Sequence, residues 1–418
     1  MNFSPLFLHR PVPSTGGIVV TLSLGLLTHS ITTAAATPAV GLALRRYTSN
    51  HYAVRTTLGR SEAVQLAAHM DLVYAEYARR FQGFSPRGGE DMTLYLFRTP
   101  DEYAQFMAAM DIPAKNTAGI FFVHRHARGV ATWVSGRSHD EILTVLQHEG
   151  FHQFAYQYLG AGLPIWVNEG LAQYFEHGIL LQDEMKLGMA NARSIAVVKE
   201  ALEAGRDVAF DELMNMTPER WKRSVTTGGR RSTLFYAQSW SMVHFLVHGD
   251  NGRYRSGFDR YLAQIGNGRP SQEAFAQAFR TRDAHKFQDR WRQYMRNLAP
   301  DPLSTALARM AFLGEGLRYF AEKGEPAPEN LDELRRRLQQ IQFRTIFTKH
   351  GFQATTYAAD QAVYAYTPSG GIERPFQLLA SVLADLPPQL TAAGLQPEPT
   401  LTWRRDEAGA LVQAIAYR

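Results

Sequence analysis

A mixed α+β fold is predicted for this 418-residue chain by three features. Strand-like alternations of period two recur among helical periodicities of 3.6 in the first three hundred residues. Glycine and proline clusters punctuate those periodic segments at element-sized intervals. A break at Pro300-Asp301-Pro302 separates them from a C-terminal stretch with strand-like runs of its own.

The elements are read in order. His51-Tyr52-Ala53-Val54-Arg55-Thr56 alternates as a strand, and residues 61–82 space Ala63, Leu66, Met70, Val73, Tyr77 and Phe81 along one helix face. Met92-Thr93-Leu94-Tyr95-Leu96-Phe97 is a second strand, and Thr99-Pro100-Asp101-Glu102 opens a helix to about Met110. Gly119 to Val123 and Gly129 to Val134, joined by the polar segment from His124 to Arg128, form a hairpin. Ser138-His139-Asp140-Glu141 is a capping box, which starts a helix that Gly160, Gly162 and Pro164 end. A helix over residues 167–177 follows, then helices at roughly 190–204, 232–248, 256–265, 271–279 and 284–297. Beyond Pro302 the spacing gives helices over 303–322 and 329–341. Strand-like runs follow at 362–366, 400–404 and 411–417, with one helix near 375–385. The expected organisation is a leader over 1–39, an α/β unit over 45–115, a central domain over 116–300, a helical linker over 301–341 and a small α+β domain over 342–418.

Composition narrows the class. Hydrophobic residues make up 45% and charged residues 20%, ordinary for a soluble globular protein. The net charge of +5 is modest, and runs such as Arg220-Trp221-Lys222-Arg223 and Arg335-Arg336-Arg337 read as solvated faces. No periodic basic stripe with interleaved aromatics is present, so nucleic acid is not an expected partner. The absence of cysteine excludes disulfides, thiolate nucleophiles and cysteine-ligated metals. His9 and Arg10, an apolar stretch from Gly17 to Leu27, and the small residues Ala34-Ala35-Ala36-Thr37-Pro38-Ala39 describe a secretory leader cleaved near Ala36 or Ala39. No later segment reaches membrane-spanning length. The mature chain is therefore expected in the periplasm or outside the cell.

The chemistry centres on His148-Glu149-Gly150-Phe151-His152. On a helix, positions i and i+4 share a face, so both imidazoles reach one ion while the intervening glutamate meets water. Nitrogen and oxygen donors with one open position suit catalytic zinc. A third ligand is needed. Sixteen residues separate His152 from Glu169, which stands within Pro164-Ile165-Trp166-Val167-Asn168-Glu169-Gly170-Leu171-Ala172. Glu169 is preferred because it lies nearer the turn, and Gly170 lets helices approach closely. Glu176, two turns later, is the competing ligand.

These motifs resemble those of gluzincin peptidases, in particular the peptidase-MA-like relatives of aminopeptidase N. The wider chain, over about residues 48–320, is similar to an uncharacterised family of exported bacterial proteins with such a domain. The resemblance also rests on Asn116-Thr117-Ala118-Gly119-Ile120-Phe121 and on Tyr236-Ala237-Gln238-Ser239-Trp240. It implies a zincin-like catalytic domain, a small sheet with an edge strand plus a helical subdomain. It implies one zinc ion on His148, His152 and Glu169, with Glu149 as general base. It maps Tyr236, 67 residues after Glu169, onto the tyrosine that steadies the oxyanion. His244 is a weaker donor in that role.

One departure bears on specificity. Aminopeptidases of this type carry a glutamate on the strand before the zinc helix, and Arg128 to Val134 contains no acidic residue. The expected substrate is thus an extended peptide held by an exposed edge strand at that place. Two alternatives are a non-catalytic binding protein on the same fold and a metallohydrolase of non-peptide amides in the cell envelope.

Overall fold

The computed structural model describes residues 8–9 and 41–418, except 88–91, 115–116, 161, 183, 227–228, 282, 350–351, 382 and 384. The leader expected over 1–39 therefore falls outside the described residues, apart from 8–9.

The N-terminal part is a five-stranded sheet. Its strands are β1 (Arg45–Thr48), β2 (Tyr52–Thr56), β3 (Met92–Phe97), β4 (Gly119–Val123) and β5 (Arg128–Trp133), in the spatial order β1-β2-β3-β5-β4. The pairs β2/β3 and β3/β5 are parallel; β1/β2 and β4/β5 are antiparallel. Side-chain alternation splits the sheet's two faces. Leu94, Leu96, Phe121 and Val130 join the main core, whereas Tyr95, Phe97, Ile120, Phe122 and Ala131 pack with Phe106 and Met107 of α2 (Pro100–Ala108). On the main-core side lies α1 (Arg60–Arg80), through Leu66, Met70, Val73 and Tyr77.

The hairpin expected at 119–134 is present, but its outer strand is β4. The strand Arg128–Trp133, expected as the edge, lies inside the sheet between β3 and β4. The parallel pairing of β5 with β3 is satisfied only when the hairpin folds outward, which leaves β4 at the rim.

Helix α3 (His139–Tyr158) crosses the main-core face. Its capping box is formed in both directions: Glu141 N–H donates to Ser138 Oγ (3.2 Å) and Ser138 N–H donates to Glu141 Oε2 (2.8 Å). Gly160, at φ +81°, turns the chain, and α4 (Ile165–Glu176) runs back against α3. Gln147 of α3 holds the far end of α4, donating to Phe175 O (2.9 Å) and Gly178 O (3.0 Å). Next come α5 (Ala192–Glu203), α6 (Phe210–Met214), α7 (Pro218–Thr226) and α8 (Arg230–Gly252). The short α6 and α7 carry no counterpart among the expected elements. In α7 the basic run is only partly solvated, because Trp221 is fully buried against Phe235 and Tyr236. Helices α9 (Arg255–Gly266), α10 (Ser271–Phe279) and α11 (Ala284–Asn297) complete this half.

The C-terminal half has its own hydrophobic cluster. Helices α12 (Pro302–Glu322) and α13 (Leu331–Gln340) contribute Leu303, Met310, Leu313, Leu317, Leu334 and Leu338 to the cluster that holds Leu390, Leu401 and Trp403. The stretch expected as a linker thus shares a core with the sheet that follows it. That sheet is antiparallel, with strands Gln377–Leu379, Gln389–Thr391, Pro399–Arg405 and Leu411–Tyr417 in sequence order. Among the described residues near 375–385, the expected helix is absent. Gln377–Leu379 finds backbone partners in Gln389–Thr391 instead. The run expected as a strand at 362–366 begins as a 3₁₀ turn, Gln361–Tyr364, capped by Asp360 Oδ1 on Ala362 N–H (3.0 Å). A hairpin of Arg344–Lys349 with Phe352–Tyr357 was likewise not among the expected elements. Among the described residues, no helix is long and apolar enough to cross a membrane.

Gly170 sits where α4 meets α8. A Cβ there would lie 2.5 Å from Ser239 O, a backbone atom that cannot rotate away. The close approach it permits is therefore to α8 and not to α3. Gly170→Ala is expected to destabilise the protein by about 1–3 kcal/mol through overpacking. Gly162→Ala, with nothing within 4 Å of the added carbon, is expected to change stability by less than about 0.5 kcal/mol. Denaturant midpoints of the two variants check this, and equal midpoints would remove the argument for close packing.

Candidate metal centre

Three donors from two helices converge. His148 and His152 lie one turn apart on α3, and Glu169 lies in the first half of α4. One ligand atom from each can be chosen so that all three lie within 4.8 Å of one another, and all three residues are buried. Nε2 of His148 is 3.6 Å and Nε2 of His152 is 3.7 Å from Glu169 Oε2. Both distances are too long for hydrogen bonds.

The imidazole orientations have a visible cause. His148 Nδ1–H donates to Glu176 Oε2 (2.6 Å) and His152 Nδ1–H donates to Asn168 Oδ1 (3.0 Å). Each bond holds a proton on Nδ1 and turns Nε2 toward Glu169, so that in the neutral ring Nε2 is left to ligate. One helix, α4, thus supplies Asn168, Glu169 and Glu176 to the two histidines of the other. Glu176, the competing ligand on sequence grounds, faces His148 from the ring's far side. Asn168 had no assigned role in the sequence reading, although its place beside Glu169 on the docking helix was the available signal.

The donor set fits a divalent cation. Two neutral imidazole nitrogens and a carboxylate oxygen meet in a buried volume, and His152 Nε2 makes no hydrogen bond there. The charge balance points the same way. Glu149, Glu169 and Glu176 are 2%, 1% and 3% exposed. Carboxylates at that depth need a compensating positive charge. Burial opposes a charge on His148, but the neighbouring carboxylates of Glu169 and Glu176 prevail and lift its pKa to about 10. Burial drives His152 well below the usual histidine range. The proton that His148 holds between the two carboxylates is the charge a metal ion would replace.

Glu149 stands apart from the ligand set. Burial raises its pKa to about 8, against the opposing effects of His148 and the Phe121 N–H. That N–H, on edge strand β4, donates to Glu149 Oε2 (2.8 Å) and fixes the carboxylate beside the histidines. Gly119 allows β4 to lie this close: a Cβ there would meet Val145 of α3 at 2.4 Å. A small pocket lined by Phe121, His152, Tyr156, Leu163 and Asn168 adjoins the centre.

Tyr236 on α8 is buried, and its hydroxyl accepts a hydrogen bond from Trp221 Nε1 (3.3 Å). Burial first, then the charge of Glu169, raises its pKa well above the tyrosine norm, so the phenol keeps its proton. Its backbone is tied to α4, since Gln173 Nε2 donates to Tyr236 O (2.9 Å). His244, the weaker candidate, is occupied elsewhere. Its Nε2–H donates to Gly188 O (3.1 Å), and its Nδ1 accepts from the Tyr294 hydroxyl (2.7 Å).

Residues 141–267 match a family described as "Protein of unknown function (DUF1570)". The matched stretch contains His148, Glu149, His152, Glu169 and Tyr236. No curated protein matches the chain.

Removing the supports should loosen the metal without unfolding the protein. Asn168→Ala and Glu176→Gln are each expected to weaken affinity for a divalent cation by about 10–100-fold. His148→Ala or His152→Ala is expected to abolish tight binding. Zinc titrated against a competing chelator, with circular dichroism as a check on folding, measures both effects. Unchanged affinity in Asn168→Ala and Glu176→Gln would remove the orienting role.

Proposed function

We propose that this chain is a zinc-dependent peptidase that cleaves within extended peptides after export from the cytoplasm. The observation that carries the proposal is the division of labour on one helix face. His148 and His152 aim Nε2 at Glu169, while Glu149, between them in sequence, is held by a backbone N–H outside that set. The match to a family without assigned function neither adds to nor subtracts from this reading. Export is supported by the leader-like character of residues 1–39.

His148, His152 and Glu169 would hold the ion. When bound, zinc supplies a Lewis acid that polarises a carbonyl and makes water more acidic. Glu149 takes the proton of the attacking water and delivers it to the departing amine. Its raised proton affinity suits both acceptance and release. The Tyr236 hydroxyl donates a hydrogen bond to the oxygen on which negative charge develops. Asn168 and Glu176 hold the imidazoles in place throughout. Edge strand β4 offers the peptide a backbone partner beside Glu149.

Three variants test the reading together. Glu149→Gln should retain zinc and lose about 10²–10⁴-fold in hydrolysis, because the basic carboxylate is gone while the shape remains. Glu169→Gln should weaken zinc binding. Tyr236→Phe should keep zinc and KM and lower kcat, as expected of a contact made chiefly in the transition state. Zinc content and cleavage of an internally quenched peptide library report all three. Wild-type cleavage by Glu149→Gln would overturn the mechanism. A zinc-loaded wild type that cuts no library peptide would favour a non-peptide amide or a binding role.

A further inference from the structure

A second concave site lies away from the metal centre, among α9, α10 and α11. It is a cavity of about 450 Å³. None of its lining residues belongs to the metal group or touches the ligand set described above. Among the described residues its walls carry Arg253, Arg260, Arg280, Lys286 and Arg290, against one carboxylate, that of Asp283. Five positive charges minus one negative leave a surplus of four on its lining.

These cations are not a solvated stripe along one helix. They come from α9 and α11 and from the residues that cap α8 and α10, and all of them line one hollow. The floor is apolar and closely packed: Gly257 brings α9 so near α10 that a Cβ would sit 2.7 Å from Phe279, and Tyr254 and Phe287 close the base. Neutralisation is incomplete. Lys286 meets Asp283 at 3.6 Å; Arg260 donates to Ala278 O (3.0 Å) with Asp259 nearby, and Arg290 donates to the Tyr254 hydroxyl (3.4 Å), which itself donates to Asp250 (2.7 Å). Arg280 caps α10 in the left-handed region, at φ +54°, where glycine is the favoured residue. A bulky cation thus occupies a backbone position that sterics disfavour, and it lines the hollow.

We propose that this cleft binds a compact ligand carrying two or more linked phosphate groups. Guanidinium forks pair with phosphate oxygens through two hydrogen bonds each. A surplus of four positive charges is matched by a diphosphate or triphosphate and is poorly matched by a single carboxylate. The volume admits a ligand of that size, and the aromatic floor accepts an attached apolar or ring moiety. The inference is independent of the peptidase reading.

Tripolyphosphate titrated calorimetrically into the whole protein is the probe. Saturable one-to-one binding that weakens as salt rises is expected. Arg253→Ser combined with Arg280→Gly should weaken it about tenfold or more, since each removes charge-assisted hydrogen bonds. Arg280→Gly also relieves the left-handed backbone, so this variant should fold at least as well as the parent. Removing two exposed arginines elsewhere, Arg46→Ser with Arg336→Ser, should leave affinity unchanged, and so should His148→Ala. Equal weakening by the distant pair, loss of binding in His148→Ala, or no saturable binding would overturn the proposal. Displacement of the probe by a nucleoside diphosphate supports a compact ligand, whereas displacement by long-chain polyphosphate alone overturns it.

Discussion

The docking of α4 against α3 is the contact on which the rest of the centre depends. Two histidines on one helix face can aim their rings in many directions, because rotation about the side-chain bonds is cheap in isolation. Here Glu176 and Asn168 each take an Nδ1 proton, and Glu169 stands between the Nε2 atoms they define. All three acceptors come from one twelve-residue helix, so a single packing event sets the ligand and both orienting groups. That packing is fixed from behind. Gly170 seats α4 on the backbone of α8, and Gln147 anchors its far end. A small shift of α4 would disturb the ligand, both tautomers and the neighbourhood of Tyr236 together.

Burial has two consequences at this centre. It raises the cost of each charge, which is why three carboxylates need a cation among them. It also strengthens every remaining interaction, because little water is present to screen it. Glu149 shows both effects. Its carboxylate is costly to ionise where it lies, yet it is kept in place by a single N–H from the rim of the sheet. The sheet thus does more than support α3. Its edge strand supplies a polar contact to the one acidic group that is not a ligand or an orienting group.

The C-terminal unit braces the start of α3. Ile415 N–H donates to Asp140 Oδ2 (2.9 Å), on the first turn of that helix. Arg98, beside the capping box of α2, links Glu62 of α1 (2.8 Å) to Glu407 of the C-terminal sheet (2.5 Å). Glu407 is about half exposed, so this ion pair is worth little energetically and serves chiefly to fix position. At Asp140 burial pushes the carboxyl up to about 7, and the Ile415 N–H opposes that rise. Helix α3 is therefore held at its start by the C-terminal sheet, along its length by α1 and β4, and at its motif by α4.

Local chemistry made part of this protein legible in its amino-acid order. The capping box of Ser138 and Glu141, the four-residue spacing of His148 and His152, and the break at Gly160 act within one or two turns of chain, so their signals lie in the sequence itself. Period-two and 3.6 patterns likewise exposed the α+β character and the positions of β2, β3 and most of the helices. What only tertiary structure decided depended on partners distant in sequence. The choice between Glu169 and Glu176 turned on how α4 rotates against α3. The edge of the sheet went to β4 and not to Arg128–Trp133 because β3 pairs in parallel with β5. Gln377–Leu379 became a strand because a neighbouring strand satisfied its backbone, and Trp221 was buried because α8 offered it Tyr236. The basic cleft joins arginines spread over nearly forty positions, whose convergence no local periodicity can encode. Short-range patterns fix which side chains share a face; long-range packing fixes which faces meet.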